Sequence, residues 1–371
     1  MINKKIFGLA ILALLVHCAL FAGKQKGTTY VYFSLNGESK LKVYKLDYQT
    51  KELVFLHQTE TDGNPFPIKI SKDRHTLYLG TMYGDTGKLS SYIIDQQNGS
   101  LTHINTVDAI ARPTHISLSP NEKVLLSCYF NAHRVGTHLI DSDKSIKSGA
   151  VENQVVTKWP HMIKTNATGN MVFVPNMGGN NFHQYGLDQN TGKLNPLIPS
   201  TIDVSPDHMG PRHFVYHPML KDVLYATAEI NFKVMGIKYD LTGLSIPFES
   251  KYLLPDGYTP AAKGDKSSDI HITPDGRFLY VATRLTNQPN GVITGYSVDL
   301  DSGELTLLGY FDTEPVVREF EIDSSGKFLI AAGENSGKAI LYEIKEDGSL
   351  QKLKSYFVGD KPFWVESALI K

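Results

Sequence analysis

The sequence predicts an all-β protein, a seven-bladed β-propeller whose last blade is closed jointly by N-terminal and C-terminal strands. Three observations lead there. A short strand-forming motif returns seven times: NPFPIKIS from Asn64, RPTHISLSP from Arg112, WPHMIKTNA from Trp159, GPRHFVYHP from Gly210, SSDIHITPDG from Ser267, VREFEIDSSG from Val317 and KPFWVESAL from Lys361. Aligned on Pro65, Pro113, Pro160, Pro211, Ser267, Val317 and Pro362, the motif recurs after 48, 47, 51, 56, 50 and 45 residues. Periods of about 40 to 50 residues built from short strands indicate propeller blades, each a small sheet that cannot bury its faces alone.

The second observation is a continuous apolar run after each motif: LYLG from Leu77, LLSC from Leu125, VFVP from Val172, LYAT from Leu224, LYVA from Leu279 and LIAA from Leu329. Strands of this kind are covered on both faces, as neighbouring blades require. Third strands such as KLKVYKLD from Lys40 and VITGYSVD from Val292 alternate, and turns rich in Asp-Gly and Ser-Gly follow them. The third observation concerns the chain ends. The segment from Gly27 to Leu46 has no motif strand of its own, and the segment from Lys361 has nothing after its motif. Together they complete one blade and remove the free edges of the ring.

Composition agrees with a single folded ring. The 371 residues are 41% hydrophobic and 20% charged, enough for a sizeable core, and 31 Gly and 18 Pro serve frequent turns. With 37 basic against 38 acidic residues, there is no single-sign field to hold a nucleic-acid backbone by bulk charge. Lys4 and Lys5 precede an apolar run from Ile6 to Leu15 and small residues around Ala19 to Gly23, the layout of a secretory signal peptide over residues 1–23. The run is too short to span a bilayer, which takes about 20 residues. The propeller domain is then residues 24–371, expected in the periplasm or secreted, or in the cytoplasm if the N-terminal pattern is not a signal. Lipidation of Cys18 is the alternative fate of that segment. Cys128 reads as a buried strand thiol.

Equal offsets from the seven anchors fall at equivalent places around a ring. One step on stand Phe66, Thr114, His161, Arg212, Ser268, Arg318 and Phe363; two steps on stand Pro67, His115, Met162, His213, Asp269, Glu319 and Trp364. A further set lies five residues after each apolar run begins: Met82, Phe130, Met177, Glu229, Arg284 and Glu334. Charges placed where the chain leaves a buried strand suit a central cavity. The candidates for catalysis are His161, Arg212, Glu229 and Arg284, with His213, Asp269, His271, Arg318 and Glu319 as substrate-binding or supporting partners. An Arg can polarise a carbonyl while a His or Glu takes the proton of an attacking water. A second Arg can hold a phosphate or carboxylate. The other reading of these residues is an Arg–Glu network that closes the channel.

Motifs for other chemistries are missing: no G-x-S-x-G, H-E-x-x-H, Walker loop or dinucleotide fingerprint occurs. His213 and His217, four apart on a strand, stand roughly 13 Å apart, too far to share a metal. Asp141 and Asp143 lack the Gly and Glu of a calcium loop. No metal or cofactor is expected. The long segment from Leu253 to Ser268, with Pro255, Gly257, Pro260 and Gly264, is the expected lid or binding loop.

The stretches GPRHFVYHP, SDIHITPDGRFLYVATR, FLIAAGENSGKAILYEI and KPFWV resemble the seven-bladed β-propeller lactonase family, within it the bacterial propeller-type 6-phosphogluconolactonases. The likeness runs from about Thr29 to Ile370. It implies hydrolysis of a sugar lactone ester without a cofactor, or, in related muconate enzymes, lactone closure. The family's blade-start His falls on His161, its Pro-Arg-His step on Arg212 and His213, and its later Arg on Arg284. Its Asn-Glu pair falls on Ala228 and Glu229, keeping the acid and losing the Asn. The resemblance thus implies a small lactone as substrate, and a monomer is the default expectation. A silent propeller that binds a protein or saccharide is the reading from another class.

Overall fold

The apolar second strands nucleate the architecture. Thr76–Tyr83, Val124–Tyr129, Met171–Asn176, Val223–Ala228, Phe278–Arg284 and Phe328–Gly333 are buried along almost their whole length. In the computed structural model, which describes residues 27–84, 86–204, 209–258, 260, 264–286 and 288–371, each sits second in a four-stranded antiparallel sheet. There are seven such sheets among the described residues, numbered here as blades 1 to 7. Blade 1 joins Pro362–Ile370 to Thr28–Leu35, Lys40–Asp47 and Glu52–Glu60, so the two chain ends close the ring as expected. The N-terminal segment read as a signal, with Cys18, lies outside the described residues.

The core is distributed between blades. Val31, Phe33 and Leu35 of blade 1 pack on Phe328, Ile330 and Leu341 of blade 7, and Phe173 and Phe182 of blade 4 on Phe214 and Leu224 of blade 5. Each remaining pair of neighbours shares a cluster of its own. Tyrosines from second strands tie the blades further. Tyr32, Tyr225 and Tyr280 donate their hydroxyls to Gly99, Gly303 and Gly348, turn residues in the next blade. Gly99 has φ of 76°, and a Cβ there would lie 2.6 Å from the Tyr30 ring, so turn and tyrosine contact both demand glycine. Cys128 is the buried thiol expected, unpaired on the second strand of blade 3.

Three local expectations need correction. Each blade carries a fourth, outer strand beyond the three that the repeat displays; Glu52–Glu60 and Leu350–Phe357 are examples. Their largely exposed pattern hides them, because an outer edge strand has little to bury. The motif WPHMIKTNA also does not form a full strand. In blade 4 only Lys164–Thr165 pairs regularly, preceded by an isolated bridge from Pro160 to Asn176. The expected lid is partly wall: Leu253 and Leu254 are buried between blades 5 and 6, and the inner strand Lys266–Ile272 begins before Ser268. Residues 259 and 261–263 of that segment lie outside the described residues.

Candidate active site

The inner strands Asn64–Ile70, His115–Leu118, Lys164–Thr165, Pro211–Tyr216, Lys266–Ile272, Val317–Ile322 and Pro362–Ile370 line the channel. An unbroken strand would turn only every second residue to the axis. Register shifts interrupt the pairing between Pro65 and Ile68, Pro211 and Phe214, Ser267 and Ile270, and Val317 and Glu319; a fifth leaves Phe363 unpaired between Pro362 and Trp364. Such bulges re-aim side chains, so consecutive residues such as Arg212 and His213 both join the central cluster. The residue before the anchor adds to the bend. Trp159, Gly210, Val316 and Lys361 all have φ between 49° and 64°, an uncommon state for a β-branched Val.

Contacts between blades that are not neighbours locate the axis. His213 of blade 5 touches Trp364 of blade 1, His115 of blade 3 touches both rings, and Arg212 of blade 5 donates to Glu319 of blade 7 at 3.2 Å. The two predicted rings therefore meet. Glu229 lies 2.9 Å from Arg284 Nη2, 3.2 Å from Arg212 Nε and 3.5 Å from Lys266 Nζ. Burial works to raise its pKa, but Arg284, Arg212 and Lys266 outweigh burial and hold the carboxyl below its usual range. Glu319 behaves oppositely: burial and the nearby Asp269 push it well above that range.

His161 is buried, with Nδ1 at 3.2 Å from His213 Nε2 and its ring edge-on to Phe130. Desolvation, then Arg212 and His213, lower its pKa well below that of a free imidazole, so it is neutral at pH 7. Its Nε2 has no hydrogen-bond partner among the described residues. His213, rather than Glu229, stands against His161 Nδ1, and Asp269 backs His213 at 2.9 Å.

Arg318, one of the residues expected to bind substrate, lies against an aromatic ring. Its guanidinium lies 4.2 Å from the Phe363 ring centre and only 3.7 Å from Glu334, with no aligned hydrogen bond to an acceptor among the described residues. Arg284 spends Nη2 on Glu229 and the Ser267 carbonyl, leaving Nη1 uncommitted among the described residues. Arg212 is 0% exposed, and its guanidinium is engaged by the Ser268 carbonyl, Glu319 and Glu229. His213, Asp269 and Glu319 are likewise buried supports. His271 lies two residues deeper along its strand and reaches back to Asp269 at 3.0 Å.

Sequence reasoning missed Arg112 and Lys266. Both stand one residue before their anchors, an offset next to the ones compared, and that was the available signal. Arg112 lies 4.9 Å from the Phe66 ring centre, and Phe66 meets Phe363 edge-on at 4.6 Å. One side of the cluster is thus aromatic, from blades 1 and 2, and the other carries Glu229, Arg284 and His161. His213, Asp269 and Glu319 also bring ligand-type atoms within 4.8 Å of one another. Arg212 already donates to Glu319, and both Asp269 oxygens accept hydrogen bonds, so a cation there would have to displace these donors.

The family "Lactonase, 7-bladed beta-propeller" matches residues 27–367. This chain belongs to that lactonase family. A 6-phosphogluconolactonase of Yersinia pseudotuberculosis serotype O:3 is 30% identical over 337 residues, covering 90% of this chain and 96% of the relative. The lactonase fold recurs in a Bacteroides fragilis structure proposed to be a 6-phosphogluconolactonase, with TM-score 0.83 and 20% identity over 93% of this chain and 99% of that one. The periplasmic gluconolactonase of Pseudomonas aeruginosa gives TM-score 0.82 and 22% identity, over 93% of this chain and all of that one.

Proposed function

We propose that this lactonase hydrolyses the ring ester of a sugar lactone, with 6-phosphogluconolactone as the first substrate to test and unphosphorylated gluconolactone as the second. The observation that carries the reading is the neutral His161, whose Nε2 is uncommitted among the described residues, in one cluster with the partly uncommitted guanidinium of Arg284. Water attacks the carbonyl carbon as His161 Nε2 takes its proton. Arg284 donates hydrogen bonds to the developing oxyanion. When the ring C–O bond breaks, protonated His161 returns the proton to the departing alkoxide oxygen, leaving a free hydroxyl and a carboxylic acid that gives up its remaining proton to solvent as the carboxylate. Glu229 is a weak base here, since Arg284, Arg212 and Lys266 all stabilise its anion.

The sugar rests against Phe66 and Phe363, whose rings suit the C–H faces of a carbohydrate. Arg318, with Arg112 at the far end of the aromatic pair, receives an anionic substituent. The N-terminal pattern of Lys4, Lys5 and the apolar run supports export, which favours a lactone met outside the cytoplasm. Among the described residues no helix is long and apolar enough to cross a membrane. The test is lactone opening by the purified chain, comparing freshly made 6-phosphogluconolactone, gluconolactone and a muconolactone, with His161→Ala alongside. Loss of activity in the variant supports the reading; parental turnover by the variant sinks it.

A further inference from the structure

The channel holds a continuous series of contacts that the hydrolytic scheme does not use. His161 Nδ1 is 3.2 Å from His213 Nε2, His213 Nδ1 is 2.9 Å from Asp269 Oδ1, and Asp269 Oδ2 is 3.0 Å from His271 Nε2. These four groups come from the inner strands and strand starts of blades 4, 5 and 6. The series leads from the candidate base to His271, whose side chain is 33% exposed and whose Nδ1 faces Glu321 at 4.0 Å.

The donors along this series can be assigned by elimination. Asp269 is held well below the usual carboxylate range: burial opposes this, but His271 and His213 outweigh it, so the group is an anion and only accepts. His213 must then donate from Nδ1. Burial and Arg212 lower His213 to about 4, so it is neutral and its Nε2 is a bare lone pair. The hydrogen bond between the two imidazoles therefore needs the proton on His161 Nδ1. That leaves His161 Nε2 as a lone pair facing away from His213. The backbone N–H of Phe320 also donates to Asp269 Oδ2 at 3.1 Å, which fixes the carboxylate against rotation.

We propose that Asp269 and His213 are positioning residues that hold His161 in the Nδ1–H tautomer and stabilise its cation during turnover, an Asp–His–His series running down the propeller channel. The proposal rests on the reading of His161 as the base. An imidazole in the wrong tautomer presents a donor where the reaction needs an acceptor. The groups facing the series are Arg212, Arg284 and Arg318 beside His161, with Arg212, Glu319, His115 and His271 beside His213. Asp269, Glu319 and, beside His271, Glu321 are the acidic groups of this set, and Asp269 is the one hydrogen-bonded to His213.

Two measurements on the intact chain test the proposal. Nitrogen-15 NMR of imidazole-labelled protein should show His161 and His213 both in the Nδ1–H form at pH 7; an Nε2–H form of His161 overturns the assignment. Asp269→Asn should lower kcat on the order of 100-fold with little change in KM. Removing the anion disfavours the imidazolium, so the acid limb of the kcat profile should move to lower pH. Asp269→Glu should recover part of kcat. If Asp269→Asn keeps the parental kcat and acid limb while His161→Ala is inactive, the relay is wrong and the base is right. If His161→Ala itself retains full activity, the base assignment fails, and with it the catalytic role of the series.

Discussion

Arg284 Nη2 lies 2.9 Å from Glu229 Oε1, joining the end of one buried second strand to the residue that leaves the next. The pair spans blades 5 and 6 and leaves Arg284 Nη1 uncommitted among the described residues. Arg284→Ala should reduce kcat/KM by roughly 100-fold or more, the cost of losing a donor to a developing oxyanion. Glu229 keeps Arg212 and Lys266 nearby, so the variant should stay folded. Steady-state kinetics with a circular-dichroism melt checks both parts; parental kcat/KM would remove Arg284 from the mechanism.

Arg212 answers to stability more than to chemistry. It is enclosed, and its guanidinium links Glu229, Glu319 and the Ser268 carbonyl across three blades. Replacing it by Met fills much of the space but strands buried acceptors. Removal of one partner from a buried ion pair costs about 3–5 kcal/mol. Arg212→Met should lose that order of unfolding free energy in urea, and an unchanged midpoint would show the network to be dispensable.

Arg318 and Phe363 should separate substrates. Arg318 has no aligned hydrogen bond among the described residues and is held against the Phe363 ring. Desolvation, then Arg284 and Arg212, push its pKa down, so an incoming anion relieves the crowding of positive charge. Arg318→Ala is expected to raise KM for the phosphorylated lactone about 10-fold or more while changing KM for the unphosphorylated one little. Equal effects on both substrates would place Arg318 outside phosphate recognition.

The deeper end of the channel makes stability depend on pH. Burial pushes Glu321 up to about 7, with Glu366 adding to the rise and His271 and Lys69 opposing it. Its unfolded value is about 4.3. Between these two values the folded chain binds more protons than the unfolded one, so this group's contribution falls as pH rises from about 4.3 to 7. Glu321→Gln removes that dependence. Relative to the parent, the variant should gain stability between pH 5 and pH 8, read as the difference in urea midpoints; a constant difference would contradict the assignment.

The ring was legible because its anchors and apolar second strands repeat, and because burial on both faces leaves a continuous run such as LYVA from Leu279. Outer strands such as Leu350–Phe357 were hidden by their exposure. The site residues His161, Arg212, Glu229 and Arg284 were visible as charges at equivalent offsets. Their division of labour was not. Period-two reasoning cannot foresee that bulges turn both Arg212 and His213 inward, or that one ends up fully buried between Glu229 and Glu319 and the other against His161. Arg112 and Lys266 escaped because they stand one position before the anchors, and a positive φ at that position in four blades carries no mark in the sequence beyond Gly210.

The most direct test follows loss of fresh 6-phosphogluconolactone and gluconolactone, above spontaneous hydrolysis, with the purified parent, His161→Ala and Arg284→Ala side by side. The parent should open at least one of the two lactones rapidly, and both variants should fall by about 100-fold or more while melting as folded proteins. Turnover by the variants at the parental rate, or none by the parent on either lactone, would contradict sugar-lactone hydrolysis at this site.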